Sequence, residues 1–302
     1  MPQCFRLVIN SAPGWAGFSA VFSMSATDRA LLICLALGMA GLATIQAVAA
    51  DVSNLYRATS LVTGTGEINR QRGFSLCMDQ VIVRVTGDLS LLSMPQVARL
   101  RDRAGELVGS FTYRDRLEGI PIHDEQGSRD RPYDLTCNFD QEKLDAALTE
   151  LGARPWLAPR PVVVPLLAVE HGHKHFVLVA DGEDGRFMDV SFAAAAEPLA
   201  MRIALPVKAD ISTLDGASPW LADQLVLNRM AQAGGGDVPL LGRLTWSDAD
   251  LGWVADWRMT FEGNTHDWQV RGVSFDEAFR VAMRGAAQIL SGNGRQLEQS
   301  AK

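Results

Sequence analysis

Val238–Leu290 reads VPLLGRLTWSDADLGWVADWRMTFEGNTHDWQVRGVSFDEAFRVAMRGAAQIL, and this stretch decides the fold. Val238 to Trp246, Gly252 to Phe261 and Thr265 to Val273 each read as a strand rich in β-branched and aromatic residues. Ser274 then caps a helix through Leu290, with Phe275, Ala278, Phe279, Ala282, Met283, Ala286 and Leu290 falling on one face. The expected unit is a three-strand antiparallel meander closed by a helix.

Working back toward the N-terminus, Gly234-Gly235-Gly236 stops a helix expected over Trp220 to Ala233, and Ile203 to Val207 reads as a short strand. Phe187 to Met201 is alanine-rich and helical in pattern, with Pro198 bending or ending it. Val162 to Val169 is apolar enough to be a buried strand. His175 to Ala180 follows after a turn, so these two runs form a hairpin. Residues 154–161, RPWLAPRP, are a proline-rich break and the expected interdomain linker.

Earlier still, Tyr56 to Thr63 reads as a strand, and Glu67 to Val85 as a helix with Phe74, Cys77, Met78, Val81, Ile82 and Val85 on its apolar face. A second helix follows Pro95, and a third is capped by Asp140. Phe111 to Arg116 and Tyr133 to Phe139 read as strands separated by the polar loop IPIHDEQGSRDRP. The expected class is α/β (α+β), built as two consecutive mixed modules over residues 51–153 and 162–292, with a polar tail at 293–302.

The chain has 302 residues, 47% of them hydrophobic and 21% charged, which is a globular composition. Its formal net charge is -7, and the first fifty residues hold Arg6, Arg29 and only one acid, Asp28, so the remainder is more acidic still. That sign repels phosphate backbones and argues against nucleic-acid binding as a main function.

Ala30 to Ile45 reads ALLICLALGMAGLATI, uncharged, preceded by Arg29 and followed by small residues at alternate positions in Ala47-Val48-Ala49-Ala50. This is the pattern of a signal segment over residues 1–50, cleaved after Ala49 or Ala50. The protein is therefore expected in a bacterial periplasm. The alternative is a single inner-membrane anchor over residues 30–50 with the body in the periplasm. The sixteen-residue run rises only about 24 Å against a hydrocarbon core of about 30 Å, which favours cleavage. Met24, in MSATDRALL, reads as a better start than Met1, and residues 1–23 are expected to be a misassigned start or a nonstandard leader.

Removal of that segment takes Cys4 and Cys34 with it and leaves Cys77 and Cys137. The pair is a candidate disulfide, whose loop of about sixty residues is worth on the order of 4 kcal/mol in the chain-entropy model. The competing reading is two buried thiols acting as small apolar side chains.

Several segments together carry a family resemblance: VIVRVTGD (81–88), FTYRDR (111–116), Pro155-Trp156 followed by RPVVVPLLAVE, GGGDVPLLGRLTW (234–246) and the distal GWVADWRMTF…AAQIL. In this order they resemble the bacterial domain of unknown function family DUF2066 over nearly all of residues 51–292. The loop HDEQGSRDRP is most like alphaproteobacterial members. The resemblance implies an envelope protein of Gram-negative bacteria and carries over no catalytic residues.

Three constellations could carry chemistry. In an extended segment His171, His173 and His175 would project from one face and could hold zinc, copper or nickel; the bland alternative is a solvated turn. His123, Asp124, Arg129 and Arg131 could form an acid/base pair or an anion clamp, against a solvated loop with internal ion pairs. Trp246, Trp253, Trp257 and Trp268 could form an aromatic platform for glycan or peptide, against a core under the last helix. Gly64-Thr65-Gly66 lacks the dinucleotide spacing, and GxxxxGK[ST], GxSxG and HExxH do not occur.

No cofactor is expected, and catalysis is not favoured. The leading functional expectation is a noncatalytic periplasmic binding or envelope-assembly protein, with an envelope protein or a peptidoglycan or lipid component as partner. The alternatives are a metal-binding periplasmic protein using His171, His173 and His175, and an unrecognised hydrolase using His123 or Asp124.

Overall fold

Glu67–Thr86 forms helix α1, whose residues Phe74, Cys77, Met78, Val81, Ile82 and Val85 are buried at helical spacing. Gly87, at φ 71°, ends it by donating its N–H to Val83 O, a conformation that costs little without a Cβ. The computed structural model describes residues 54–120, 123–124, 127–128, 131–157, 160–214 and 218–293.

The surface beneath α1 is a three-stranded sheet. Strand β1 is Arg57–Thr63 and β2 is Val108–Asp115; β3 (His123–Asp124) and β4 (Gly127–Ser128) pair as a small ribbon, and β5 is Pro132–Phe139. The sheet order is β1-β5-β2, antiparallel throughout. Ala58, Ser60 and Val62 are buried while Arg57, Thr59, Leu61 and Thr63 are exposed, the period-two pattern of a sheet with one dry face. Gly73 lets the helix approach closely: a Cβ there would lie 2.5 Å from Leu135 and 2.7 Å from Val62. Helices α2 (Pro95–Asp102), α3 (Ala104–Leu107) and α4 (Gln141–Glu150) complete this half. Asp140 caps α4 by accepting from the Lys143 N–H at 3.2 Å.

The second sheet is larger. Its strands are β6 (Val162–His171), β7 (Lys174–Val177), β8 (Arg202–Ile203), β9 (Val238–Ser247), β10 (Gly252–Phe261) and β11 (Asn264–Val273), ordered β11-β10-β9-β6-β7 with β8 also on β6. The meander β9-β10-β11 is antiparallel, as the pattern from Val238 onward predicts. β6 joins it in parallel with β9, and the crossover between them carries α5 (Met188–Ala196) and α6 (Gln224–Ala233).

β6 is buried on both faces, which explains its unbroken apolar run. Val163, Leu167 and Val169 face α5 and the closing helix α7 (Phe275–Ser291), whereas Val164 and Leu166 face Leu227, Met230 and Ala231 of α6. Pro165 is tolerated inside this strand because of where its nitrogen points. Val163 O and Leu167 O accept from Ala204 N and Leu178 N on the outer edge. Pro165 faces that same edge, in the gap between β8 and β7 where no ladder partner is needed. Trp257, fully buried, fills the space above Gly242, where a Cβ would lie 2.3 Å from its ring.

The alanine-rich stretch is shorter than its pattern suggests. α5 ends at Ala196 and Pro198 falls in a 3-10 turn over Glu197–Leu199, since a proline cannot supply the next helical N–H. Likewise Pro219–Leu221 is a separate 3-10 turn, and α6 starts only at Gln224, capped by Asp223.

The segment expected as a linker is docked. Trp156 is buried and donates its N–H to Val85 O at 2.7 Å. The Arg160 guanidinium lies 4.1 Å from the Trp156 ring centroid and donates to Arg84 O at 2.5 Å. Asn293 accepts from Arg154 N at 2.9 Å and donates to Thr86 O at 2.7 Å. The two sheets accordingly belong to one compact unit, Asp51–Lys302. No helix among the described residues is long and apolar enough to cross a membrane. The expected signal segment lies outside the described residues.

Candidate functional site

One end of the larger sheet presents a cluster of three aromatic rings. His171 on β6, Trp246 on β9 and Trp253 on β10 occupy neighbouring positions on three adjacent strands. The register makes this so, because Glu170 pairs with Thr245 and Trp246 with Trp253. Ring centroids are 5.5 Å apart for His171–Trp246, 5.4 Å for His171–Trp253 and 5.6 Å for Trp246–Trp253, with tilted to edge-on planes. Such geometry suits the quadrupoles of aromatic rings. His171 is exposed, Trp246 is 37% exposed and Trp253 is half-buried.

The turn between β9 and β10, next in the chain, carries polar groups. Trp246 Nε1 donates to Asp248 Oδ1 at 2.9 Å. Ser247 Oγ donates to Asp250 Oδ2 at 2.7 Å, and Arg271 pairs with the same carboxylate at 2.9 Å. The Ser247 hydroxyl first, and Arg271 second, hold the Asp250 carboxyl below its ordinary range. Leu251, 84% exposed at φ 50°, stands at the tip of the turn.

The four meander tryptophans thus divide. Trp257 is core, stacked edge-on against Phe192 and Phe279, and Trp268 packs against α7 at Gly285. Trp246 and Trp253 form the rim. Trp253 and Trp257 share a face as their spacing predicts, but only the course of α7 decides which one it covers.

The three histidines do not converge. Gly172 and His173 form a turn that pairs His171 with Lys174 and Glu170 with His175. His171 therefore faces the tryptophans, while His175 points to the opposite face, its Nδ1 3.9 Å from Glu170 Oε1. The expectation of one shared face assumed an unbroken strand, and the turn at Gly172 (φ 61°) breaks it. Among the described residues no group of three or more His, Cys, Asp or Glu side chains is arranged to hold a metal.

In the polar loop the backbones of His123 and Asp124 form β3, but their side chains, and all of Arg129, lie outside the described residues. Arg131 pairs with Asp115 at 3.1 Å and donates to Ile120 O at 2.9 Å and to Leu117 O. Its guanidinium fastens the loop's own backbone. Cys77 on α1 and Cys137 on β5 do meet, as free thiols with sulfurs 2.9 Å apart.

A concavity of about 460 Å3 lies beside α1 and is lined by Arg57, Gln80, Arg84 and Glu197 among others. Burial lowers the Arg84 pKa there, partly offset by Glu197. The Arg84 side chain donates from Nη1 to Arg57 O at 2.5 Å.

Over residues 49–157 the chain is similar to a family described as a domain of unknown function (DUF8605). That stretch includes the first sheet with α1 to α4 and the docked Trp156. No curated protein matches the chain.

Proposed function

We propose that this is an exported, noncatalytic envelope protein that binds glycan strands of the cell wall through the rim formed by His171, Trp246 and Trp253. The observation that carries the reading is the triangle of three rings on β6, β9 and β10, with His171 and Trp246 exposed and Trp253 half-buried. A pyranose ring presents a face of C–H groups that stacks on an indole, and its hydroxyls pair with planar groups at the margin. The rim supplies the rings in Trp246 and Trp253 and a bonded carboxylate in Asp248, with the Asp250–Arg271 pair in and beyond the same turn.

A peptide added as an extra strand has less support. Such recognition needs unpaired backbone at a sheet edge, whereas β6, β9 and β10 are all interior strands. A metal site has less support because His171 and His175 point to opposite faces. The apolar leader and the resemblance to DUF2066 support an envelope location, with residues 30–50 cleaved or retained as an anchor.

Co-sedimentation with purified peptidoglycan sacculi tests the function. The wild-type protein should pellet with sacculi, and Trp246→Ala and Trp253→Ala should each reduce the bound fraction about tenfold at limiting sacculi, equivalent to about 1.4 kcal/mol. Wild-type protein that stays in the supernatant, or variants that pellet equally well, would refute it. Osmotic-shock fractionation tests the placement separately, since recovery of the folded body only in the cytosol contradicts export.

A further inference from the structure

Neither the rim nor its proposed ligand uses Cys77 and Cys137. Both are fully buried, one on α1 and the other on the central strand of the first sheet, with Sγ atoms 2.9 Å apart. That is closer than two sulfurs ordinarily approach without a bond. The other polar neighbours of Cys77 are Ser60 Oγ at 3.4 Å, Ala58 O at 3.6 Å and Leu135 O at 3.7 Å, which include no imidazole or carboxylate. No charged group or base stands beside the pair to hold either sulfur as a resting thiolate.

We infer that Cys77 and Cys137 are oxidised to a disulfide while the chain folds, before α1 closes over β5, and that the finished core then shields the bond from exchange. The position makes the order of events necessary. An oxidant has no path to a sulfur with no exposed surface, so the reaction belongs to the chain before α1 has closed over β5.

The oxidant is a disulfide, carried by a protein or a small molecule. The thiolate of one cysteine attacks one sulfur of that disulfide, whose S–S bond breaks and whose other sulfur leaves as a thiolate. The second cysteine, giving its proton to solvent, attacks the sulfur of the first in the mixed disulfide and expels the oxidant's remaining thiol. Two electrons and two protons pass from the cysteine pair to the oxidant, which ends as two thiols. In the folded arrangement the S–H of Cys137 points at Cys77, which lowers the Cys77 pKa and raises that of Cys137.

The full chain, reduced and denatured, is refolded in a reduced/oxidised glutathione couple, quenched in acid and alkylated under denaturing conditions. Peptide mass mapping is expected to find Cys77 joined to Cys137, lighter by two hydrogens and unalkylated, and distinct from any link to Cys4 or Cys34. A parallel sample, folded while reduced and then given the same couple without denaturant, is expected to keep both thiols free far longer than refolding takes. Alkylation of both thiols after oxidative refolding would overturn the bond. Equal oxidation rates in the two samples would overturn the ordering. Because both arms run in purified solution, failure speaks to the cysteine geometry and not to export.

Discussion

Gln288, near the end of α7, donates from Nε2 to Oδ1 of Asp88 at 2.9 Å, across 200 residues of chain. Asp88 is 2% exposed and also accepts from Ser90 N at 2.9 Å. A carboxylate this dry depends on every donor it has. The closing helix of the second sheet thereby completes a buried site belonging to the first.

Gln288→Ala should therefore lower stability by about 1–3 kcal/mol, the cost of a buried acceptor left short of a partner. Urea denaturation followed by tryptophan fluorescence, which reports mainly on the second sheet, and by far-ultraviolet circular dichroism should show one coincident transition in wild type. Two separate wild-type transitions would show that the sheets unfold independently, contrary to the docking of Arg154, Trp156 and Arg160.

Tyr56 donates its hydroxyl to Asp145 Oδ1 at 2.7 Å, tying the start of β1 to α4. Burial, and then the bond to Asp145, push the phenol well above its ordinary value. A raised folded-state pKa means that folding favours the protonated phenol. Its stabilisation is fully present below about pH 10, the unfolded value, and is lost as pH rises beyond that. Tyr56→Phe should cost about 1 kcal/mol at pH 8. Its deficit relative to wild type should shrink between pH 10 and 11.5 in denaturation curves; a deficit constant across that range would contradict the assignment.

Gly242→Ala should be among the most damaging single-methyl changes in the protein. The new Cβ would meet Trp257 at 2.3 Å and Leu167 at 2.6 Å, and overpacking of this kind costs about 1–3 kcal/mol. Thermal denaturation measures it. A neutral result would mean that Trp257 can move, which its full burial argues against.

The polar margin of the rim should respond to acid. The Asp250 pKa is depressed by the Ser247 hydroxyl and by Arg271, so the interaction is present above the ordinary Asp range. It is lost as pH falls through the lower, folded-state value. Sacculus binding measured from pH 7 down to pH 3 should weaken only at the acid end. Asp250→Asn should bind less at pH 7 and lose its acid sensitivity.

Much of the fold was legible because burial imposes a period. Phe74 to Val85 declares a helix on one dry face, and Ser274 with the apolar register to Leu290 declares the closing one. Strand order carries no such mark. Nothing in Val162–His171 or Val238–Ser247 announces that these strands lie side by side and parallel, and that pairing alone brings His171 against Trp246. The alternating histidines share a face only in an extended segment, and the chain turns at Gly172 instead, which is the competing reading of a solvated turn. Trp156 did mislead. Three prolines within RPWLAPRP read as a free connection, but an indole next to them needed a core, and Val83 and Arg160 supply its walls.

The most direct test of the glycan reading is isothermal titration of the protein with soluble β-1,4-linked N-acetylglucosamine oligomers, wild type beside the Trp246→Ala/Trp253→Ala double variant. The rim account predicts saturable heat in wild type and an affinity lower by at least tenfold in a double variant that still unfolds cooperatively. Absence of saturable heat in wild type, or equal affinity in the two proteins, would contradict it.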